Sequence, residues 1–490
     1  MMDMTVEQAA RAVDGRLLDP GQARIGRLVT AVTTDSRDVA TGSLFVAIAG
    51  EHVDGHDFVA TAASAGAVAA LVDHPLQDVD IAQIVVRDTV QALGAVAAAN
   101  LRMRRASAAP FTIVGITGSV GKTTTKDLLA VLLGSLGPTI APQGSFNNEI
   151  GLPLTACRVD ADTRFLVAEM GANHLGEIAG LTRIAPPDIA IVLKVGVAHL
   201  GEFGSVEHIA QAKGELVRGL VNDGVSILNA DDGRVAAMAR LTPGKLIWFG
   251  KEHAQAHDGD DYVAADDIVL GDDGHPRFRL VDNGGVDVAV TLGLVGSHNV
   301  MNALAAAAAA RWLGVPLERV ASLLSSVHSI SPHRMAVGQV VDGDARFTLI
   351  DDSFNANPDS MKAGLRGLMA WHAQEPAQPY RVAVLGAMLE LGGDEQEAHR
   401  TVGAAAAELG VDAVIAVGSR QDAHLQSLAQ CIADGAAAAG GCTVSCVRAT
   451  DDARAAVRAL NAAHPDMAVL LKGSHASGLS DLADEWDARG

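Results

Sequence analysis

Gly115-Ile116-Thr117-Gly118-Ser119-Val120-Gly121-Lys122-Thr123-Thr124 gathers glycines, a lysine and hydroxyls into one short stretch. It follows an apolar run, Phe111 to Thr117, and precedes a segment whose Leu128, Leu129, Leu132 and Leu133 recur at helical spacing. Strand, Gly-rich turn and helix in that order can cradle phosphates. Backbone N–H groups of Gly118, Ser119, Val120 and Gly121 turn inward, and the helix N-terminus adds partial positive charge. Lys122 is placed to reach the terminal phosphates of a nucleoside triphosphate, with Thr124 beside it, and the Thr123 hydroxyl to join a Mg²⁺ shell. The strict spacing G-x-x-x-x-G-K-[ST] puts Gly at 116, where this chain has Ile; its glycines fall at 115, 118 and 121. An incidental Gly-rich turn with a lysine is the alternative, disfavoured by the coincidence of strand, turn, Gly-Lys-Thr-Thr and helix.

Two further side chains gain meaning from that loop. Glu169 ends the apolar run Phe165 to Met170, which places a carboxylate at the C-terminal edge of a parallel sheet, where ligands collect. Alone it is an ordinary solvated strand end; beside a phosphate loop it is a Mg²⁺ ligand of the right hardness. His199, in Val197-Ala198-His199-Leu200-Gly201, follows another apolar run. From that segment alone, a surface or core histidine is an equally good reading.

Short apolar strands alternating with helical stretches position these groups. Phe165 to Met170, Ile189 to Val195, Val225 to Asn229 and Leu246 to Phe249 indicate a largely parallel sheet covered on both faces. The Asp- and Gly-rich stretch Asp258 to Val290 alternates in polarity and fits an antiparallel extension, and a helix from Asn299 to Leu313 closes the region. Before it, Ser43 to Ile48 and Ala67 to Val72 read as strands of a small α/β domain. That domain ends in an Ala-rich helix, Val90 to Ala99, and a polar segment, Arg102 to Ser107, with a boundary at Ala108-Ala109-Pro110. After Ser331-Pro332, runs at Phe347 to Ile350, Arg381 to Leu385, Ala413 to Val417 and Met467 to Leu471 suggest a Rossmann-like sheet without a GxGxxG dinucleotide signature. The expectation is an α/β protein of three domains: 1–108, a P-loop domain at 109–329, and 330–490.

Composition bounds the partners. An excess of 58 acidic over 37 basic residues, formal charge −21, disfavours a nucleic-acid footprint while leaving room for a locally bound anion. The apolar run Ala303 to Leu313 is interrupted by Arg311 and too short to span a bilayer, and the N-terminus lacks a signal-peptide pattern. The four cysteines, Cys157, Cys431, Cys442 and Cys446, have no CxxC spacing and are expected as reduced buried thiols. A cytoplasmic, monomeric protein without membrane insertion is expected.

Several segments in order resemble the Mur ligase family, which joins amino acids or peptides to UDP-N-acetylmuramate. They are Thr34-Asp35-Ser36-Arg37, Gly42 to Ala47, Asp54-Gly55-His56, the phosphate loop, Phe146 to Pro153, Glu169-Met170-Gly171, His199-Leu200, Ala212-Lys213-Gly214-Glu215, Gly296-Ser297-His298-Asn299 with Asn302, Ser331 to Met335, and Asp351 to Pro358. Within the family, Asp352 to Met361, Leu385 to Gly392 and Phe146-Asn147-Asn148 resemble members that add D-alanyl-D-alanine to a UDP-muramoyl-tripeptide, with the third peptide residue left open. The Asp-Asn-Pro-Arg of diaminopimelate- or lysine-adding members is absent. Ala387 and His475 stand where the family often has Asp and Arg.

The resemblance implies an ATP- and Mg²⁺-dependent ligase working through an acyl phosphate. It implies Lys122 on the β/γ-phosphates, Thr123 and Glu169 on one Mg²⁺, and His199 with a carbamylated Lys213 on a second. Unmodified, Lys213 cannot ligate a metal and is an ordinary helix lysine. The resemblance further implies Arg334 on the γ-phosphate, Asp352 on the ribose and Asn302 on the adenine side, where Asn299 capping a helix is a coexisting reading. Ser36 and Arg37 are implied as UDP-sugar contacts, against the alternative of an Asp-Ser turn with a solvated Arg, and Asn147 and Asn148 as substrate contacts. Rival readings are a folylpolyglutamate-synthase-like ligase and a nucleotide switch without ligation.

Overall fold

The structure, a computed structural model, describes residues 1–490 apart from 20–23, 51–52, 197–199, 252–259, 286, 329, 374 and 488–490. The first strands are β1 (Met4–Thr5), β2 (Arg16–Leu18), β3 (Leu28–Val29), β4 (Ala31–Thr33), β5 (Ser43–Val46), β6 (Ala69–Val72) and β7 (Ala82–Val85). Five form a sheet in the order β2-β7-β6-β5-β4, parallel except for the edge strand β2, and β1 pairs with β3 as an antiparallel ribbon.

The next strands are β8 (Thr112–Thr117), β9 (Thr139–Ile140), β10 (Phe165–Glu169), β11 (Ile189–Val192), β12 (Val225–Asn229), β13 (Lys245–Gly250), β14 (Asp261–Leu270), β15 (Pro276–Asp282) and β16 (Asp287–Thr291). Their order is β16-β15-β14-β13-β12-β11-β8-β10-β9. The sheet is parallel from β9 through β14, and β15 and β16 form the expected antiparallel extension. Register is what builds the site. Glu169 lies opposite Ile116 and Val192 opposite Thr117, so β8, β10 and β11 end side by side. The helix Asn299–Trp312 packs its alanines, all but fully buried, against the face of this sheet.

The last strands are β17 (Ala336–Asp342), β18 (Ala345–Asp351), β19 (Tyr380–Gly386), β20 (Ala413–Val417), β21 (Thr443–Val447) and β22 (Met467–Lys472), in the order β17-β18-β22-β19-β20-β21. All pairings are parallel except β17 with β18. The sequence points to four of these six strands. The two it misses, β17 and β21, are edge strands with mostly exposed or half-buried residues, so they lack the continuous apolar run that marks a doubly covered strand.

One sequence expectation is corrected here. The Ala-rich helix does not stop at Ala99: it runs unbroken from Thr89 to Ala106 and takes in the polar segment up to its C-cap Ser107. Arg104 is 1% exposed. Its guanidinium donates to the carbonyls of Thr163, Ala109 and Pro110 and to Ser107 Oγ, which replaces the water it gives up. Leu93 and Val96 of this helix share one apolar cluster with Leu44 and Leu71 on one side and Leu152, Ile178 and Leu216 on the other. The first two sheets are thus joined by a common core.

Candidate functional site

The loop between β8 and the helix Lys122–Gly134 turns because Gly121 adopts φ +85°, a left-handed conformation that glycine takes without steric cost. A second constraint acts on the same residue: a Cβ on Gly121 would collide with Asn302 Oδ1. Asn302 is itself fixed, donating to Asn299 Oδ1 at 2.9 Å, while Asn299 donates to the Val295 carbonyl at 2.8 Å. Asn299 therefore does not cap its helix. It is the first helical residue, and its side chain reaches backward to brace Asn302. Ser119 N–H donates to the Lys194 carbonyl and Gly196 N–H to Ser119 Oγ, each at 2.9 Å, which ties the loop to the segment after β11.

Around this loop lies a cleft of about 670 Å³, lined by the loop, by Glu169 and Lys213, and by Arg334, Asp352, Phe354 and Lys472 of the last region. Lys122 Nζ donates to the Gly118 carbonyl at 2.9 Å, and burial pulls its pKa down, partly offset by Glu169. Thr123 Oγ1 stands 3.0 Å from Ser145 Oγ and 3.5 Å from Glu169 Oε1. Asn147 Nδ2 donates to the same Glu169 oxygen at 2.8 Å. The other carboxylate oxygen, Oε2, is buried and has no hydrogen-bond partner.

Arg334 crosses from the last region into the loop. Its Nη2 donates to Thr123 Oγ1 and Ser145 Oγ, both at 3.3 Å, and its guanidinium lies 4.3 Å from the centre of the Phe354 ring. Its Nε is buried without a partner, and burial lowers its pKa despite Asp352 and Glu169 nearby. Two orphaned polar atoms of opposite character, Glu169 Oε2 and Arg334 Nε, thus belong to one cleft. Such groups cost free energy in an empty site and recover it when a ligand pairs them.

Lys213 lies on the helix Val206–Arg218 and is 3% exposed. Burial, with Lys122 adding repulsion, brings its pKa down to about 7. Among the described residues it has no carboxylate partner, so a neutral amine is available near neutral pH. Asp352 pairs with Lys472 Nζ at 2.6 Å, and Lys472 also donates to the Asn355 carbonyl.

Matches to family descriptions cover most of the chain: residues 28–109 match the Mur ligase family catalytic domain, 116–310 the Mur ligase middle domain, and 333–475 the Mur ligase glutamate ligase domain. The UDP-N-acetylmuramoyl-tripeptide–D-alanyl-D-alanine ligase of Mycobacterium tuberculosis is 40% identical over 99% of this chain and 98% of its own length. The chain belongs to the Mur ligase family. The crystal structure of MurF from Acinetobacter baumannii superposes with a TM-score of 0.82 at 31% identity, covering 99% of both chains. The MurF ligase of Thermotoga maritima, solved in complex with ADP, gives a TM-score of 0.75 at 27% identity over 94% of this chain and 98% of its own. The chain is accordingly an ATP-dependent ligase with the three-part α/β fold of its family.

The structure brings Ser119, Val120, Gly121, Lys122, Thr123, Thr124, Asn147, Glu169, Lys213, Asn302, Arg334 and Asp352 to one cleft. His199 lies outside the described residues. Gly118 shapes the loop from behind, a Cβ there meeting Leu193 Cβ at 2.9 Å. Asn148 is exposed and does not line the cleft, because its Oδ1 accepts from the N–H groups of Ile150 and Gly151 at the next helix start. Ser36 and Arg37 also lie outside it, and Arg37 is 86% exposed and forked onto Asp35. Ser145, Phe354 and Lys472 were not singled out as site residues by sequence. Ser145 sits two residues before Asn147 on a turn with no periodicity, and Lys472 acquires its role only by facing Asp352 across 120 residues.

Two cysteines depart from expectation: Cys157 and Cys431 are buried thiols, whereas Cys442 and Cys446 are half-buried, and all four are free. No helix among the described residues is long and apolar enough to cross a membrane.

Proposed function

We infer that this chain joins D-alanyl-D-alanine to UDP-N-acetylmuramoyl-tripeptide at the expense of ATP, through an acyl phosphate. The observation that carries the reading is a phosphate loop shared with Arg334 from the last region, in a chain that matches D-alanyl-D-alanine-adding relatives end to end. A carboxylate is a poor electrophile, so amide formation in water needs activation. A carboxylate oxygen of the tripeptide attacks the ATP γ-phosphorus and ADP departs. The dipeptide amine then attacks the acyl carbon, the bond to the phosphate oxygen breaks, and the nitrogen loses its proton.

The protein's part is to hold several anionic oxygens together and compensate their charge. The N–H groups of Gly118, Val120 and Gly121 face the β-phosphate, while Ser119 N–H stays on the Lys194 carbonyl, and Lys122 leaves the Gly118 carbonyl to bridge the β- and γ-phosphates. Arg334, lacking a carboxylate of its own, supplies positive charge to the transferring phosphoryl group. Asp352, held by Lys472, takes the ribose, and Asn302 with His298 flanks the adenine. Mg²⁺ fits this site: Glu169 offers a buried oxygen without a partner, and Thr123 Oγ1 lies 3.5 Å from the same carboxylate, a hard-oxygen pair of the kind Mg²⁺ takes. When bound, the ion neutralises phosphate charge. A carbamate on Lys213, formed from its neutral amine and CO₂ with release of one proton, would give an anionic oxygen able to hold a second ion, with His199 as the other protein ligand.

We propose the division 1–108 for the UDP-sugar, with Ser36 and Arg37 as contacts, 109–329 for ATP, and 330–490 for the dipeptide. Ser36 and Arg37 lie outside the ATP cleft, as a contact to the distant nucleotide end of the acceptor requires. Asn147 orients Glu169, and Asn148 shapes the turn that presents it. The proposed protein works as a monomer in the cytoplasm.

An oxygen-transfer experiment tests the activation step. Tripeptide substrate with ¹⁸O in its terminal carboxylate should deliver one ¹⁸O to the released inorganic phosphate. Unlabelled phosphate accompanied by amide product would rule out the acyl phosphate.

A further inference from the structure

The loop after β19, residues 387–394, is hydrogen-bonded at its base to the edge where Asp352 and Lys472 meet. Ser474 N–H donates to the Ala387 carbonyl at 2.9 Å. Met388 N–H donates to His399 Nε2 at 2.9 Å, and His399 Nδ1 faces the Glu395 carbonyl at 2.6 Å. That pair of contacts defines the tautomer: Nδ1 carries the hydrogen and Nε2 accepts. Its own Ala387, Met388 and Leu391 are buried. The loop is thus anchored at its base, and its tip is Gly392 (φ +60°) followed by Gly393 (φ +62°).

The tip touches the central region backbone to backbone. A Cβ on Gly201 would lie 2.5 Å from Gly392 Cα and 2.7 Å from its N, and a Cβ on Gly392 would fall on Gly201 Cα. Neither position tolerates a side chain without parting the two regions. Gly201 belongs to the segment that follows β11, whose earlier residues run along the phosphate loop. Gly196 N–H bonds Ser119 Oγ, and Lys194 Nζ lies 3.7 Å from Asp359 of the last region. The glycine contact thus lies on the seam between the two regions that share the ATP cleft, outside the cleft's own lining.

We propose that Gly201 and Gly392 are positioning residues whose contact seals the reaction chamber, so that the activated carboxylate meets the amine and not water. This rests on the acyl-phosphate reading above. In the leak it prevents, a water oxygen attacks the acyl carbon and the bond to the phosphate oxygen breaks. Free tripeptide carboxylate, inorganic phosphate and protons result, and the ATP is spent without an amide.

The structure supplies its own control. Gly393 has the same positive φ as Gly392 and no atom within 4 Å of a Cβ built on it, so Gly393→Ala carries the backbone strain without the collision. Phosphate and amide product are measured together for the full chain with ATP, Mg²⁺, UDP-muramoyl-tripeptide and D-Ala-D-Ala, and thermal unfolding is recorded for each variant. The wild type and Gly393→Ala should release one phosphate per amide. Gly392→Ala and Gly201→Ala should release about threefold or more phosphate per amide, with a fall in the kcat for ligation and little change in the KM for ATP. Equal leakage from Gly393→Ala and Gly392→Ala would assign the effect to strain and overturn the proposal. So would one-to-one coupling in both Gly392→Ala and Gly201→Ala. A wild-type protein that forms no amide would overturn the functional reading, and this inference with it.

Discussion

Replacing Arg334 by methionine should separate what the site needs for chemistry from what the fold needs for stability. In the free protein the guanidinium makes two long hydrogen bonds to hydroxyls, each 3.3 Å, and one ring contact at 4.3 Å. Those contacts are worth together about 2–4 kcal/mol. Against them stands the burial of a cation whose Nε has no partner and which forms no ion pair among the described residues. That costs several kcal/mol. The two sums nearly cancel, and methionine keeps an apolar stem to lie on Phe354. Differential scanning calorimetry of the free protein should therefore show a Tm within about 2 °C of wild type, or higher. With phosphate bound the balance changes, because the same guanidinium then meets an anion. Loss of one such donor costs about 3–4 kcal/mol in the transition state, a fall of about 10²–10³-fold in kcat. A variant that unfolds many degrees earlier, or that keeps kcat within about threefold of wild type, would refute the argument that Arg334 is held at a cost for the nucleotide.

Other substitutions probe the remaining groups. Glu169→Gln should leave the fold intact, since Asn147 still finds an acceptor, but should abolish the enhancement of ATP binding by Mg²⁺ in calorimetric titration. Lys213→Arg should be inactive at every pH. In the wild type, ligation should rise with pH through about 7 as the lysine loses its proton, and should weaken in CO₂-depleted buffer. The stability sign is opposite to that of an ion pair. The unfolded lysine keeps its proton up to its ordinary pKa while the folded one has lost it, so this group's contribution to stability rises with pH from about 7 toward 10.5. Chemical denaturation across that range should show the rise in CO₂-free buffer. His399→Phe leaves the Met388 N–H without its acceptor and should cost about 1–3 kcal/mol in denaturant unfolding.

How much of this was legible in the chain depends on the range of the interaction. The phosphate loop is local: Gly121 and Lys122 are adjacent, and the strand before them and the helix after them announce themselves by period. Glu169 was readable because register in a parallel sheet carries one strand end beside another. Contacts such as Arg334 with Thr123, 211 residues apart, follow from no spacing rule. Family resemblance supplied that expectation. Arg102 to Ser107 reads as a polar segment beyond the helix because charged residues usually face water, and nothing near Arg104 in sequence reveals the carbonyl of Thr163 that it meets. Asn148 read like its neighbour Asn147, yet side chains on successive positions of a tight turn diverge, one to Glu169 and the other to the backbone ahead. His399 carried no motif at all; its role appears only when the loop before it folds back.

The account stands most directly on one product. Purified protein incubated with ATP, Mg²⁺, D-Ala-D-Ala and UDP-muramoyl-tripeptide should yield a nucleotide heavier by one dipeptide less water, seen by mass spectrometry, and Lys122→Ala should yield none. Phosphate released without that product, or the product formed equally by Lys122→Ala, would contradict it.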